Sequence, residues 1–201
     1  MTILAAALHS RAQTEAGRFL LGGDLEFSST KSDEALSKST GVLILPNAGY
    51  FISDNLAIGA GIGYQTGKYR LYDASGNYNL NTDIKTHGFI FNPFVRKYKN
   101  ITEVFKFYAQ LSGTYLYSKS KDNLNTADNY DVKLNSYVAQ LSPGLVFFPS
   151  QRFGIEFAIS GISYNYTKRK YPDHLGSFTS RDFSIGANFL APRIGVQYYF
   201  E

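Results

Sequence analysis

From residue 17 to its end the chain alternates between two kinds of position. Phe19, Leu21, Gly23, Leu25 and Phe27 share one parity, and Leu20, Gly22, Asp24, Glu26 and Ser28 share the other. A helix would scatter both sets around its axis, whereas a strand sends them to opposite faces. The pattern returns where Leu56, Ile58, Ala60, Ile62 and Tyr64 oppose Ala57, Gly59, Gly61, Gly63 and Gln65. It is clearest where Phe105, Phe107, Ala109, Leu111, Gly113, Tyr115 and Tyr117 oppose Lys106, Tyr108, Gln110, Ser112, Thr114 and Ser118. Phe153, Ile155, Phe157 and Ile159 likewise oppose Gly154, Glu156, Ala158 and Ser160. Less regular strands are predicted over 40–51, 81–98, 133–148 and 180–200, with a bulge near Ala191-Pro192-Arg193. The total is about eight strands of roughly 10–18 residues, longer than soluble strands and long enough to cross a bilayer at a tilt.

The connections alternate too. Three are short: Ile52-Ser53-Asp54-Asn55, Lys99-Asn100-Ile101-Thr102 and Pro149-Ser150-Gln151-Arg152. Four are long and polar, around 29–40, 70–82, 118–132 and 167–180. Short turns at one end and long loops at the other are the pattern of a closed up-and-down transmembrane β-barrel.

Parity alone does not say which face meets lipid, because a soluble lipocalin-like barrel carries its apolar set inside. Three features favour the inverted arrangement. The second parity is small or polar, with Gly59, Gly61, Gly63, Ser112, Thr114, Gln140, Ser142 and Gly144, as a narrow lumen requires. Asp24, Glu26, Arg96 and Glu156 fall on that same parity, where pairing offsets desolvation; an Arg or Lys at mid-bilayer on the outer face costs about 2–4 kcal/mol. Aromatics gather near strand ends, at Tyr50-Phe51, Tyr98, Phe105, Tyr115, Tyr117, Phe147-Phe148, Phe153 and Tyr198-Tyr199-Phe200, and these are expected to form two interfacial girdles.

Composition adds limits. There are 16 Tyr and 16 Phe in 201 residues, suited to strands and interfaces. The slightly negative mean hydropathy argues against a helical membrane protein but not against a barrel, whose two faces average out. No cysteine is present, which removes thiol chemistry. The net charge of +4 comes without a dense basic block, so nucleic acid is not an expected partner. Residues 1–12 read as part of a signal peptide, with the apolar run Ile3-Leu4-Ala5-Ala6-Ala7-Leu8 and a cut after Ser10-Arg11-Ala12. That assigns 13–201 to the barrel.

Several stretches resemble the small outer-membrane β-barrels of the OmpX/OmpA-like "porin family" class. They are Gly49-Tyr50-Phe51-Ile52-Ser53-Asp54-Asn55-Leu56-Ala57-Ile58-Gly59, Asn92-Pro93-Phe94-Val95-Arg96-Lys97-Tyr98 and Gly195-Val196-Gln197-Tyr198-Tyr199-Phe200. The resemblance implies an outer-membrane location and an assembly signal at Tyr198 and Phe200, read by the barrel-assembly machinery. Glu201 follows the final aromatic, a departure from the usual pattern.

Candidate chemistry is sparse. Some barrels of this size hydrolyse lipid A, which requires a His, a Ser and an acid. His9 falls in the leader, His87 in a strand, and His174 in a polar loop before Ser177. Asp122, Asp128 and Asp131 lack calcium-loop spacing, so neither a metal nor a cofactor is expected. Gly59-Ala60-Gly61-Ile62-Gly63 lacks the lysine and helix of a phosphate loop and reads as interior clearance. The inward Asp24, Glu26, Arg96, Gln140 and Glu156 either seal the lumen or line a pore, and an eight-stranded lumen favours the seal. Tyrosines near the long loops, including Tyr64, Tyr69, Tyr115, Tyr117, Tyr164 and Tyr166, form an outer girdle or bind a surface protein or glycan. The expectation is a monomeric, non-enzymatic barrel; a narrow pore, a lipid A hydrolase and a secreted lipocalin-like binder are the alternatives.

Overall fold

The structure, a computed structural model, describes residues 13–32, 37–72, 78–122, 131–172, 176–186 and 193–201. Its strands are β1 (Phe19–Ser32), β2 (Ser37–Ser53), β3 (Leu56–Tyr72), β4 (Tyr78–Asn100), β5 (Phe105–Asp122), β6 (Asp131–Phe147), β7 (Phe153–Ala158), β8 (Ile162–Lys170), β9 (Ser177–Ile185) and β10 (Arg193–Phe200). All their pairings are antiparallel. The sheet closes because β1 also pairs β10, at Phe19↔Phe200. β7 with β8, and β9 with β10, each form one wall strand interrupted part-way, so the wall is a closed up-and-down barrel of eight strands.

The strands run further than the polar composition of their upper ends suggests. β1 continues to Ser32 and β2 starts at Ser37; β3 reaches Tyr72 and β4 starts at Tyr78. Much of what reads as long loop is therefore paired wall standing above the apolar belt. At the lower end, Asp54 and Asn55 turn β2 into β3, with Asn55 at φ 63°. Asparagine tolerates this left-handed conformation better than most residues.

The break between β7 and β8 has a local cause. Gly144 faces Ala158 and Leu141 faces Ile162, so the β7–β8 side holds one residue more than β6 across the same stretch. In an antiparallel strand the N–H and C=O of a residue point to the same neighbour. The Pro143 carbonyl accepts from the Ile159 N–H at 3.1 Å, but proline has no N–H to return. The extra residue is a bulge at this one-sided rung, and it moves the outward parity from Phe153 and Phe157 to Ile162 and Tyr164. The sequence alternation through Ile159 and Ser160 thus ends early, at Ala158. The bulge expected at Ala191-Pro192-Arg193 falls mostly outside the described residues.

Gly161 sits at this break. A methyl group there would lie 2.1 Å from the Leu141 carbonyl oxygen, whereas one on Gly113 would meet nothing within 4 Å. Gly161→Ala is expected to destabilise the barrel by about 1–3 kcal/mol, and Gly113→Ala to stay within about 0.5 kcal/mol. Urea titrations of the detergent-folded chain, followed by far-UV circular dichroism, compare them. Equal midpoints would show that the break is not set by close backbone approach.

Candidate functional site

The two faces of the wall have opposite character. Outside, Leu25 (79% exposed), Phe27 (74%) and Ile62 (69%) stand free on the barrel surface. Two aromatic bands frame this apolar zone. Near the short turns Phe19 lies 5.0 Å from Tyr50, Phe105 4.9 Å from Phe147 and Phe153 5.1 Å from Tyr198, centroid to centroid. Further up, Tyr64 lies 5.4 Å from Phe89 and Tyr115 5.1 Å from Tyr137. Ten residues separate Phe105 from Tyr115 on β5, and Tyr137 from Phe147 on β6. At about 3.4 Å per residue and a tilt near 40°, the bands are about 26 Å apart, the height of an outer-membrane apolar zone.

Inside, the lower end is filled by a second set of aromatics. Phe51, Tyr98, Tyr108, Phe148 and Tyr199 are nearly or fully buried and pack with Leu20, Ala57, Phe94 and Val146. This corrects the assignment of Phe51, Tyr98, Phe148 and Tyr199 to the girdles. Adjacent aromatics along a strand alternate faces, so each pair such as Phe147-Phe148 divides between girdle and lumen. Gly59 makes room for one of these rings: a methyl there would fall on the Phe94 ring and the Ala48 carbonyl. Residues 13–18 cross beneath. The Asn55 N–H donates to the Thr14 carbonyl at 2.7 Å, and buried Lys106 donates from Nζ to Thr14 Oγ1 at 2.6 Å.

On this apolar floor stands one charged group of each sign. Arg96 and Glu156, each 5% exposed, form an ion pair through Nη1 and Oε1. Arg96 also donates from Nε to Gln110 Oε1 at 2.8 Å and from Nη1 to the Tyr98 hydroxyl at 3.0 Å. Its guanidinium lies 4.5 Å from the Tyr108 ring centroid. The Tyr199 hydroxyl and Gln197 Nε2 donate to Glu156 at 3.3 and 3.5 Å. Both charges are thus partnered on several sides, the condition under which burial is tolerable.

A polar cavity of about 120 Å³ lies against this layer, lined among others by Asp24, Asn47, Asn92, Gln140 and Ser142. Of the five lumen residues singled out in the sequence, Arg96 and Glu156 meet directly. Asp24 and Gln140 line the cavity without joining them. Glu26 stands exposed in the upper lumen with Ser28 and Gln65. Tyr198 and Phe200 face outward in the lower girdle, 5.6 Å apart, with Phe200 5.5 Å from Phe19 across the closing seam. Tyr98, Tyr108, Gln110, Gln197 and Tyr199 complete the network; the linear sequence suggests a girdle for Tyr98 and Tyr199 and no ion-pair contact for any of the five. Their parity was the available sign, since Tyr98 lies two residues from Arg96 and Gln197 two from Tyr199.

The other candidates do not converge. His87 is on the outer wall, its Nδ1 2.8 Å from the Tyr64 hydroxyl and 3.3 Å from Thr66 Oγ1. Ser177 begins β9, while His174 and Asp128 lie outside the described residues. No group of three potential metal ligands occurs among the described residues.

No protein-family model and no curated protein matches the sequence. Among solved structures the chain is similar to the crystal structure of the outer membrane protein OprG from Pseudomonas aeruginosa. The match has 16% identity and a TM-score of 0.51, over 94% of this chain and 98% of that one. The chain is also similar to the Yersinia pestis outer membrane protein Ail in a phospholipid bilayer nanodisc. There the identity is 17% and the TM-score 0.38, over 92% and 100% of the two chains. The OprG likeness shows the fold, an antiparallel barrel of outer-membrane type.

Removing one partner of the buried pair strands the other. Arg96→Met is expected to cost about 3–5 kcal/mol, and the double variant Arg96→Met with Glu156→Leu to recover most of it. Chemical unfolding of the two variants in detergent measures this; a double variant no better than the single one would refute the ion pair as the source of the loss.

Proposed function

We propose that this chain is a bacterial outer-membrane barrel without enzymatic activity, closed to conduction. Its role is envelope-structural, or interaction with a surface protein or glycan through the paired wall and connections above the upper aromatic band. The observation that supports this reading best is the inversion of polarity: large apolar side chains outside, and inside a buried Arg96–Glu156 pair on an aromatic floor. A water-soluble lipocalin-like binder would carry the apolar set inside. A diffusion pore needs a continuous polar lumen, whereas here rings from β2, β4, β5 and β10, with Phe148 just past β6, pack together at the turn end. A lipid A hydrolase would rest on His174 with Ser177; His174 lies outside the described residues, and the described His87 contacts Tyr64 and Thr66 rather than a serine and an acid.

Biogenesis follows from the same reading. Tyr198 and Phe200 sit at the seam between first and last strands, where the wall closes. An aromatic signal at that edge suits recognition by the barrel-assembly machinery before closure. The mature barrel is proposed to be monomeric, since the wall closes on itself where β1 pairs β10.

Three measurements test the proposal. The unboiled, folded chain is expected to run faster than the boiled one on a gel and to sediment with the outer membrane; a soluble chain with no heat-dependent shift would contradict it. In planar bilayers the wild-type chain is expected to give no stable conductance steps. Steady single-channel currents would mean the lumen is a pore, and the aromatic floor a gate. Expression is expected to leave the lipid A mass profile unchanged, and a deacylated species would establish an enzyme instead.

A further inference from the structure

The outer wall above the upper aromatic band carries lysines in register. Across β3, β4 and β5, Lys68 faces Lys85, and Lys85 faces Lys121. Across β5, β6 and β8, Lys119 faces Lys133, and Lys133 faces Lys170. All six share the outward parity of the apolar belt. Both rows stand at one height relative to aromatic rows on the same strands: Tyr64, Phe89 and Tyr117 lie four residues below the first, and Tyr115, Tyr137 and Tyr166 four below the second.

Like charges directly opposite each other on a sheet are destabilising. Here the protein does little to relieve them. None of the six makes an ion pair with a described residue, and the acid on their rows with a described side chain is Asp131, opposite Lys121. An arrangement that repels itself along two neighbouring rows is suited to meet anions from outside. Four residues of tilted strand place the ammonium groups roughly 10 Å above the tyrosines. Tyrosines mark the membrane–water interface, so the lysines stand at the level of lipid headgroups.

Directly below the second row the wall is hollowed. Pro93, Gly113 and Ala139 floor an apolar trough walled by Phe91, Tyr137 and Tyr164. A methyl on Gly113 would meet nothing within 4 Å, so the trough is open to an acyl chain. Arg181 adds a cation 5.7 Å from the Tyr166 ring at its rim.

We infer that this side of the barrel is a binding surface for phosphate-bearing lipid, with an acyl chain in the trough beneath Lys119, Lys133 and Lys170 and the phosphate among these lysines. Charge complementarity selects the headgroup, and the trough selects a lipid over a soluble anion. The inference rests on the wall facing lipid, as proposed above.

The test uses the full chain folded in neutral detergent, with dioleoyl phosphatidic acid or dioleoylglycerol as probe and native mass spectrometry as readout. The wild-type chain is expected to bind the phosphatidic acid in clear preference to the diacylglycerol. The triple variant Lys119→Gln, Lys133→Gln, Lys170→Gln is expected to bind it at least about tenfold more weakly, and the corresponding triple arginine variant like wild type. Gly113→Leu, which fills the trough and keeps the lysines, is expected to weaken binding several-fold. Undiminished binding by a folded triple glutamine variant, or equal binding of the two probes by wild type, overturns the inference. Should that triple variant fail to fold, Lys133→Gln with Lys170→Gln carries the same comparison. Loss of the heat-dependent gel shift in the wild-type chain would instead defeat the membrane-barrel reading, and this inference with it.

Discussion

A sheet that stands in lipid has no water to satisfy its backbone, so each strand must find a partner on both sides. That constraint organises the whole molecule. It is met toward the turn end by closing the sheet, along the seam where Phe19–Gly23 meet Val196–Phe200. Deviations from regular pairing are correspondingly local. Pro46, Pro93 and Pro143 all stand mid-wall with outward parity, and only at Pro143, where the ladder toward β7 loses a donor, does the register slip by one residue. A proline in the middle of a strand usually argues against that strand. In a closed wall with partners on both sides, the loss of one rung is absorbed.

Closure with eight strands leaves a lumen just wide enough for side chains, and the chain fills it in layers. Aromatic rings occupy the turn end, the Arg96–Glu156 pair and its hydrogen-bonding partners lie on them, and small polar residues leave the cavity beside that layer. The order matters electrostatically. The ion pair is held where exclusion of water strengthens it and where tyrosine hydroxyls satisfy what remains of its hydrogen-bonding capacity. Above it the lumen widens, and Asp24 and Glu26 remain solvated enough to need no protein counter-charge.

The outer wall is layered on the same principle, with solvent in place of packing as the sorting force. Apolar residues cover the middle, aromatics the two interfaces, and lysines the zone above. The registered lysines repel one another in the isolated barrel, and on the inference drawn above an anionic lipid surface relieves that repulsion.

The alternation of the chain was enough to establish strands, their approximate number, the division of side chains into an apolar and a polar face, and the place of Arg96 and Glu156 on the polar one. These are properties of a period of two, which local sequence carries in full. It did not reveal which charged residues meet. Asp24, Glu26, Arg96 and Glu156 share a face, but pairing depends on height along the barrel, and height depends on register between strands far apart in sequence. It also misread adjacent aromatics. Phe147 and Phe148, or Tyr198 and Tyr199, look like one girdle in a linear reading, yet the pleat sends one to the outer face and one to the lumen. Loop length was overestimated because polar residues signal water rather than loss of pairing, and β-strands continue into water when a neighbour continues with them. The lysine rows were equally invisible: only register brings Lys68, Lys85 and Lys121 side by side. Sequence by itself determined which neighbouring side chains share a face of a regular strand, because that is local geometry. Tertiary structure alone decided which side chains stand at the same level, because shear between strands is settled only when the barrel closes.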